Sequence, residues 1–363
     1  MEEISAEAYT VPTDAPEGDA TLAWQSTTLV LVRARSGPAT GIGWTYGAGA
    51  AVTVVRDLLA PLVTGHPADD VPGANAAMAR AVRNAGRPGL VAGALSAVDI
   101  ALWDLKARLH DLPLVTLLGA ARPDVPVYGS GGFTPYDDTR LTEQLRHWAE
   151  KQAIGRVKIK IGEEWGRRVA RDLHRVRLAR SVVGDDCELY VDANGGYDVK
   201  GAIRVGRALA DEGVTWFEEP VTSDDLAGLR LVREQVPVAV TAGEYGYDLG
   251  YFQRMAASGA VDCLQADVTR CGGITVWLKA AAVAESLHLD VSAHCAPHVH
   301  AHACAAAPNL RHLEWFHDHV AIEELLFEGT LDPAGGSVVP GASGLPGLGL
   351  RFREEVAERY RSG

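Results

Sequence analysis

Six short apolar runs in the second half of the chain each end on a residue that can carry charge or move a proton. They are VKIKIG (157–162), LYVDAN (189–194), TWFEEP (215–220), TAGE (241–244), LQAD (264–267) and VSAH (291–294). Their chemistry-bearing positions lie between 23 residues (Glu244 to Asp267) and 34 residues (Lys158 to Asp192) apart. That interval is the length of one strand–loop–helix–loop unit. Adjacent parallel strands cannot be joined by a tight turn; they need a crossover of about a dozen residues or more, normally a helix. A chain that ends strand after strand on an ionisable group gathers those groups at one rim of a parallel barrel, where barrel enzymes place their chemistry.

The pattern predicts eight strands, at about 125–131, 156–162, 188–194, 214–220, 238–244, 263–268, 290–295 and 312–316. Helical periodicity fills the gaps, for example over 164–182, 199–212 and 274–287. Upstream, TTLVLVRAR (27–35) reads as a strand, and GPATGIGWTYG (37–47) as a turn, a second strand and a loop. Residues 48–63 and 74–85 read as amphipathic helices. ALSAVDIALWDLKARLHDL (94–112) is the clearest helix, with Leu95, Val98, Leu102, Leu105 and Leu109 at helical spacing before Pro113. The expected fold class is α/β, a modified TIM barrel of (β/α)7β type over 123–319, with an α+β capping domain over 1–122. The last predicted strand is followed by few helix signals, and the tail, 320–363, is expected to return and complete the cap. The 363 residues suffice for this plan.

Composition excludes several functions. The net charge of −13 and the absence of a basic stripe argue against nucleic acid. No apolar run reaches membrane-spanning length. The five cysteines (187, 263, 271, 295 and 304) include no CxxC and sit in or beside apolar strands, which reads as buried free thiols in a reducing compartment. MEEISAEAY lacks the apolar core of a signal peptide, so a cytoplasmic location is expected.

Lys158 and Lys160 lie two apart on one strand and so share a face, while Val157, Ile159 and Ile161 face the helices. Two ammonium groups side by side inside a barrel should lower the pKa of at least one, giving a general base near neutral pH. Asp192, Glu218 and Glu244 end three successive strands. Their convergence would be intolerable without a cation, and an all-oxygen set suits one Mg²⁺ ion. Glu219 is expected on the face opposite Glu218. Asp267 and His294 end the next two strands and can form a dyad in which the carboxylate fixes the imidazole tautomer. Glu314, on the last strand, could donate a hydrogen bond if protonated.

Together these residues resemble the mandelate racemase subgroup of the enolase superfamily, over nearly the whole chain and including the helix ALSAVDIALWDLKARL. The resemblance implies that Lys160 is the base on one face of the substrate and His294 the acid/base on the other, with Asp267 as its partner. It implies that Lys158, Asn194 and Glu314 stabilise an enediolate, and that the substrate is a small-molecule carboxylate. The muconate-cycloisomerase branch uses a lysine where His294 stands here and fits less well. Proteins of this kind are usually symmetric homo-oligomers, often octamers.

The favoured expectation is elimination of water from an acid sugar by a hydro-lyase, giving a 2-keto-3-deoxy acid. Racemisation or epimerisation of a 2-hydroxy acid or amino-acid derivative is the alternative. A non-catalytic scaffold would have lost some rim residues, and none is lost. Specificity is expected from two loops of the capping domain that cover the pocket, Thr13–Trp24 and Trp44–Tyr46, with Trp24 and Tyr46 as substrate contacts. In APHVHAHA, His298, His300 and His302 mimic a metal tract but read as surface or loop-lining residues, His298 being the one expected to touch substrate. CGGIT (271–275) and GLPGLGL (344–350) lack the strand–GxGxxG–helix context of a nucleotide site. Asp69-Asp70 and Asp224-Asp225 read as helix starts.

Overall fold

The structure, a computed structural model, describes residues 1–362. Strands β4 (Val125–Gly131), β5 (Arg156–Lys160), β6 (Glu188–Asp192), β7 (Val214–Glu218), β8 (Ala239–Ala242), β9 (Cys263–Ala266), β10 (Asp290–Ala293) and β11 (Leu310–Phe316) pair in parallel in chain order. The ring closes where Glu314 of β11 registers with Tyr128 of β4. Side chains alternate as the pleat requires. Val157, Ile159, Leu189, Val191, Phe217, Val240, Leu264 and Leu313 face outward into the main core. Inside, Tyr128, Tyr190, Trp216 and Cys263 cluster together and plug the barrel, with the His312 ring 4.7 Å from that of Tyr128. The polar inward positions are therefore those nearer the strands' C-terminal ends.

The crossover helices start where short acceptors cap them. Asp137, Asp198, Asp225 and Asp248 each accept a backbone N–H from the first turn. In Val199–Asp211 the residues Ala202, Val205 and Leu209 recur on the buried face, and Gly213 (φ 71°) turns the chain into β7. The Asp70 cap of Val71–Ala81 and the Asp225 cap match the helix starts read from the sequence.

The cap is a three-stranded antiparallel sheet, β1 (Glu3–Gly18), β2 (Ala23–Ser36) and β3 (Ala39–Tyr46), packed on helices. Its centre is the helix Ala92–Leu109, buried on nearly every face. Among the described residues, the one helical segment long and apolar enough to cross a membrane is Arg87–Leu109, which contains this helix and is mostly buried. Gly41 and Gly43 let β3 lie directly on it: a Cβ at Gly43 would sit 2.4 Å from Ala97 O and Ala101 N. The cap is latched to the barrel by buried polar contacts. Asp99 accepts from the Asn75 amide at 2.7 Å and Thr275 N at 3.0 Å. The Thr45 hydroxyl donates to Thr269 O at 2.8 Å.

The structure departs from the sequence reading at both ends. Glu3–Gly18 is a strand that the sequence does not announce, because Pro12 and Pro16 interrupt its alternation; its register shifts between Pro12 and Glu17. The supposed loop Thr13–Trp24 is therefore mostly strand, and only 19–22 form a turn. After β11, HDHVAIEELL forms a helix (His317–Leu326) with Ile322 and Leu326 one turn apart and buried. The remaining tail pairs Ser337–Val338 with β4 and places Ser362 N on Ala8 O at 2.8 Å. Asp104 ties the tail to the cap, accepting from Leu348 N at 2.6 Å and Ile42 N at 2.8 Å.

Replacing Gly43 with Ala forces β3 off the core helix and should cost about 1–3 kcal/mol of unfolding free energy. Gly155→Ala, where an added methyl meets nothing within 4 Å, should stay within about 0.5 kcal/mol of the parent. Denaturant unfolding of both variants checks the difference.

Candidate active site

Strand register puts Lys160 opposite Asp192, and Asp192 opposite Glu218. Glu244 follows two residues beyond the end of β8. The donor oxygens of Asp192, Glu218 and Glu244 can all lie within 4.8 Å of one another, and all three residues are buried. Lysines interleave them. Lys158 Nζ lies 2.6 Å from Glu218 and 2.8 Å from Glu314, and Lys160 Nζ bonds Asp192.

On the far side of the cavity, His294 Nδ1 lies 2.8 Å from Asp267 Oδ2. That carboxylate fixes Nδ1 as a donor and leaves Nε2 for chemistry. Thr269 N and hydroxyl, both at 2.7 Å, hold the other Asp267 oxygen. His294 Nε2 is 3.2 Å from Glu244 Oε2, but off the line a hydrogen bond requires, so this buried oxygen keeps no hydrogen-bond partner. Arg270, which the sequence reading passed over, reaches Glu244 at 3.2 Å and Asp267 at 3.4 Å. Its position three residues after Asp267 was the available signal. Cys295 was also passed over: its sulfur lies 3.3 Å from His294 Nε2 and 3.4 Å from Glu314.

The electrostatics correct one expectation. Burial disfavours the Lys160 ammonium and Lys158 repels it, yet Asp192 and the other rim carboxylates outweigh both, and its pKa is raised. Lys158 is likewise raised: burial opposes it, but Glu218, Glu314 and Asp192 prevail. The lowering expected from two adjacent ammonium groups is absent because each lies against a carboxylate. Burial works against the His294 imidazolium as well, but Cys295, Glu244 and Glu314 favour it, and its pKa rises well above the usual range. Glu314 is held low despite burial, chiefly by Lys158 and His294. In this arrangement it accepts, from the Ser130 hydroxyl at 2.6 Å and Cys295 N at 3.0 Å, and does not donate.

Glu219 departs from strand alternation because it lies past the end of β7, in left-handed backbone (φ 38°). Burial first, then the nearby charges of Glu244, Asp192 and Glu218, push its pKa well up. Its carboxyl thus belongs to the same rim, not to the outer face.

The carboxylate group fits a hard divalent ion. Its donors are all oxygen, it is buried, and Glu244 offers an oxygen that no protein donor satisfies. Zinc would draw nitrogen or sulfur donors instead.

The cavity, about 470 Å³, is lined by Lys160, Asn194, Glu244, Arg270, His294 and Cys295 from the barrel. Trp24 and Tyr46 line it from the cap, together with Asp19, Ser26 and Thr28. Asn194 adopts φ 42°, and its side-chain oxygen is buried without a partner. Two expected positions differ. Trp44 is fully buried and donates to Glu323 at 3.0 Å. His298 does not line the cavity: its Nδ1 is held 2.5 Å from Glu323, behind the wall. His300 and His302 are equally buried braces, accepting from Val268 N at 2.8 Å and Val115 N at 3.2 Å. No surface histidine tract exists, because the helix Pro297–Ala305 is buried throughout. The histidine that reaches the cavity besides His294 is His319, stacked on Tyr46 with ring centroids 3.4 Å apart. Its Nδ1 accepts from Ala296 N at 3.2 Å, so Nε2 carries the proton. It belongs to the helix that the sequence reading did not see.

Beside the cavity, Glu17 accepts from the Trp24 indole at 3.0 Å, and Asp318 accepts from the Thr27 hydroxyl at 2.6 Å. Burial and the Asp318 charge push Glu17 up to about 9. Burial raises Asp318 to about 6.

Comparison with known proteins shows the family to which the chain belongs. Residues 4–119 match the mandelate racemase/muconate lactonizing enzyme N-terminal domain, and residues 140–356 the enolase C-terminal domain-like family. The chain is 34% identical over 329 residues to 3,6-anhydro-alpha-L-galactonate cycloisomerase of Streptomyces coelicolor, covering 86% of this chain and 88% of the relative. It is 32% identical over 296 residues to L-talarate/galactarate dehydratase of Salmonella typhimurium, covering 79% and 73%. Among solved structures, a mandelate racemase/muconate lactonizing enzyme-like protein from Rubrobacter xylanophilus superposes with a TM-score of 0.96 at 50% identity over 99% of both chains. A racemase from Streptomyces coelicolor with bound magnesium superposes with a TM-score of 0.93 at 30% identity, again over 99% of both.

Glu17 and Asp318 bind protons more tightly folded than unfolded, so they favour folding most at low pH and progressively less as pH rises from about 4 toward about 9. Glu17→Gln should remove part of that loss. The thermal midpoint of the variant, relative to the parent, should improve by on the order of 2 °C between pH 5 and pH 8, as followed by scanning calorimetry.

Proposed function

The chain belongs to the mandelate racemase/muconate lactonizing enzyme group of the enolase superfamily, and from that premise we propose that it is a magnesium-dependent hydro-lyase. Its reaction removes the proton next to the carboxylate of an acid sugar and eliminates the β-hydroxyl as water, giving a 2-keto-3-deoxy acid. The observation that carries this reading is that Lys160 and the Asp267-anchored His294 line one cavity, with a carboxylate triad between them. The dehydratase among the relatives supports the same choice.

Magnesium held by Asp192, Glu218 and Glu244 would supply Lewis-acid stabilisation of the substrate carboxylate and of the charge that develops on it. The chain's own residues do the rest. Lys160, as the amine, takes the proton from C2, and the electron pair moves into the carboxylate as an enediolate. Lys158, already between Glu218 and Glu314, adds fixed positive charge near that developing anion. Asn194, whose side-chain oxygen has no protein partner, is free to orient a substrate hydroxyl. His294, protonated and held by Asp267, gives its Nε2 proton to the β-hydroxyl as the C–O bond breaks. Water leaves, and the resulting enol tautomerises to the keto acid.

One specific observation favours a second reading. Lys160 and His294 can both bear a proton, so a substrate without a suitable leaving group would be reprotonated from the opposite side, as in a racemase or epimerase.

In D₂O with Mg²⁺, a panel of acid sugars should include one that yields a 2-keto-3-deoxy acid carrying deuterium at C3. Exchange at C2 with every hydroxyl retained would point to the racemase reading, and neither product nor exchange with any member would end both. Lys160→Ala and His294→Asn should each lower kcat/KM by roughly 100-fold or more while magnesium affinity stays near that of the parent.

A further inference from the structure

Every cation lining the cavity is already committed to a carboxylate of the rim. Lys160 bonds Asp192, Arg270 pairs with Glu244 and Asp267, and His294 with Asp267. The remaining wall, contributed by the β1–β2 turn and by the start of the helix after β11, has the opposite character. Asp318 and Asp19 line it with Ser26 and Thr28. Asp19 spends one oxygen on Thr21 N at 2.6 Å, the Thr21 hydroxyl at 3.0 Å and Leu22 N at 2.8 Å, which leaves its other oxygen available. Asp318 spends one on Thr27. Glu17, 1% exposed, lies behind Trp24 and, pushed up to about 9, carries no charge at neutral pH.

Nothing on this wall would welcome an anion. The nearby cations, Arg140 and His317, are turned toward Asp14, at 2.8 Å and 3.4 Å, and line a separate outer hollow. The other donors lining the cavity, the Asn194 amide, the Tyr245 hydroxyl and His319 Nε2–H, are uncharged, His319 because its Nδ1 already accepts a backbone hydrogen bond. A second carboxylate on the substrate would meet Asp318 and Asp19 with no free positive partner, and an unpaired charge in such a place is strongly rejected. Hydroxyl groups are the complement: they donate to carboxylate oxygens and exchange hydrogen bonds with Ser26 and Thr28.

We propose that this acidic wall makes the enzyme selective for acid sugars with a single carboxylate and a hydroxylated far end, the aldonate class, and against aldarates, which carry a carboxylate at both ends. The inference rests on the acid-sugar reading above and narrows it. Asp318 and Asp19 are the residues that meet the substrate.

The test compares pairs that differ only at the terminal carbon, D-gluconate with D-glucarate and D-galactonate with galactarate. Their binding to the magnesium-loaded protein is measured by calorimetry, and kcat/KM wherever turnover occurs. The aldonate of the better-bound pair should bind at least roughly tenfold tighter than its aldarate. Asp318→Asn should narrow that ratio by raising aldarate affinity, an effect on KM more than on kcat. Asp19→Asn should do the same and serves if Asp318→Asn folds poorly. Aldarate binding as tight as aldonate binding, a ratio unmoved in both variants, or no binding by either member of any pair would overturn the proposal. Selective aldonate binding without product or exchange would instead sink the proposed reaction and leave the wall's selectivity standing.

Discussion

Three carboxylates cannot keep their charge within a few ångströms of one another, out of water, unless positive charge is supplied among them. The rim of this barrel is organised around that requirement. Asp192, Glu218 and Glu244 stand on three consecutive strands, and the ammonium groups of Lys158 and Lys160 enter from the strand beside them. Arg270 and His294 close the other side. The cluster is nearly balanced by protein alone, yet one Glu244 oxygen stays without a hydrogen bond and all the donors are hard oxygens. A divalent ion completes such a set, and the chemistry that follows is the stabilisation of one more negative charge, that of a deprotonated carbon acid.

The fold supplies the precision. Parallel register places Lys160, Asp192 and Glu218 at one level, and the aromatic plug beneath them removes any freedom to sink into the barrel. Left-handed backbone at Asn194, Glu219 and Cys295 turns the chain at the rim and brings extra side chains into the same layer. The cap then closes the site from above. Its hold depends on Gly41 and Gly43 lying flat on the core helix and on the buried bonds of Asp99, Asp104 and Thr45.

Much of this was legible in the sequence. All eight barrel strands announced themselves, because each is a short apolar run and six of them end on an ionisable residue at a regular interval, a periodicity that survives without knowledge of tertiary contacts. The acid triad, the two lysines and the histidine–aspartate dyad followed from it. What escaped was set by contacts distant in sequence. Pro12 and Pro16 hid β1, whose pairing with β2 overrides their local effect. The helix carrying Asp318 and His319 was obscured by its His/Asp-rich start, so the cavity's second histidine was sought at His298 instead. The ionisation of the lysines was misjudged because repulsion within a strand is visible in the sequence and attraction across strands is not.

Isothermal calorimetry of magnesium binding tests the central claim most directly. The account predicts one ion per chain in the parent protein and at least a tenfold loss of affinity in each of the single variants Asp192→Asn, Glu218→Gln and Glu244→Gln. Magnesium bound equally well after any of the three replacements, or not bound by the parent at all, would contradict it.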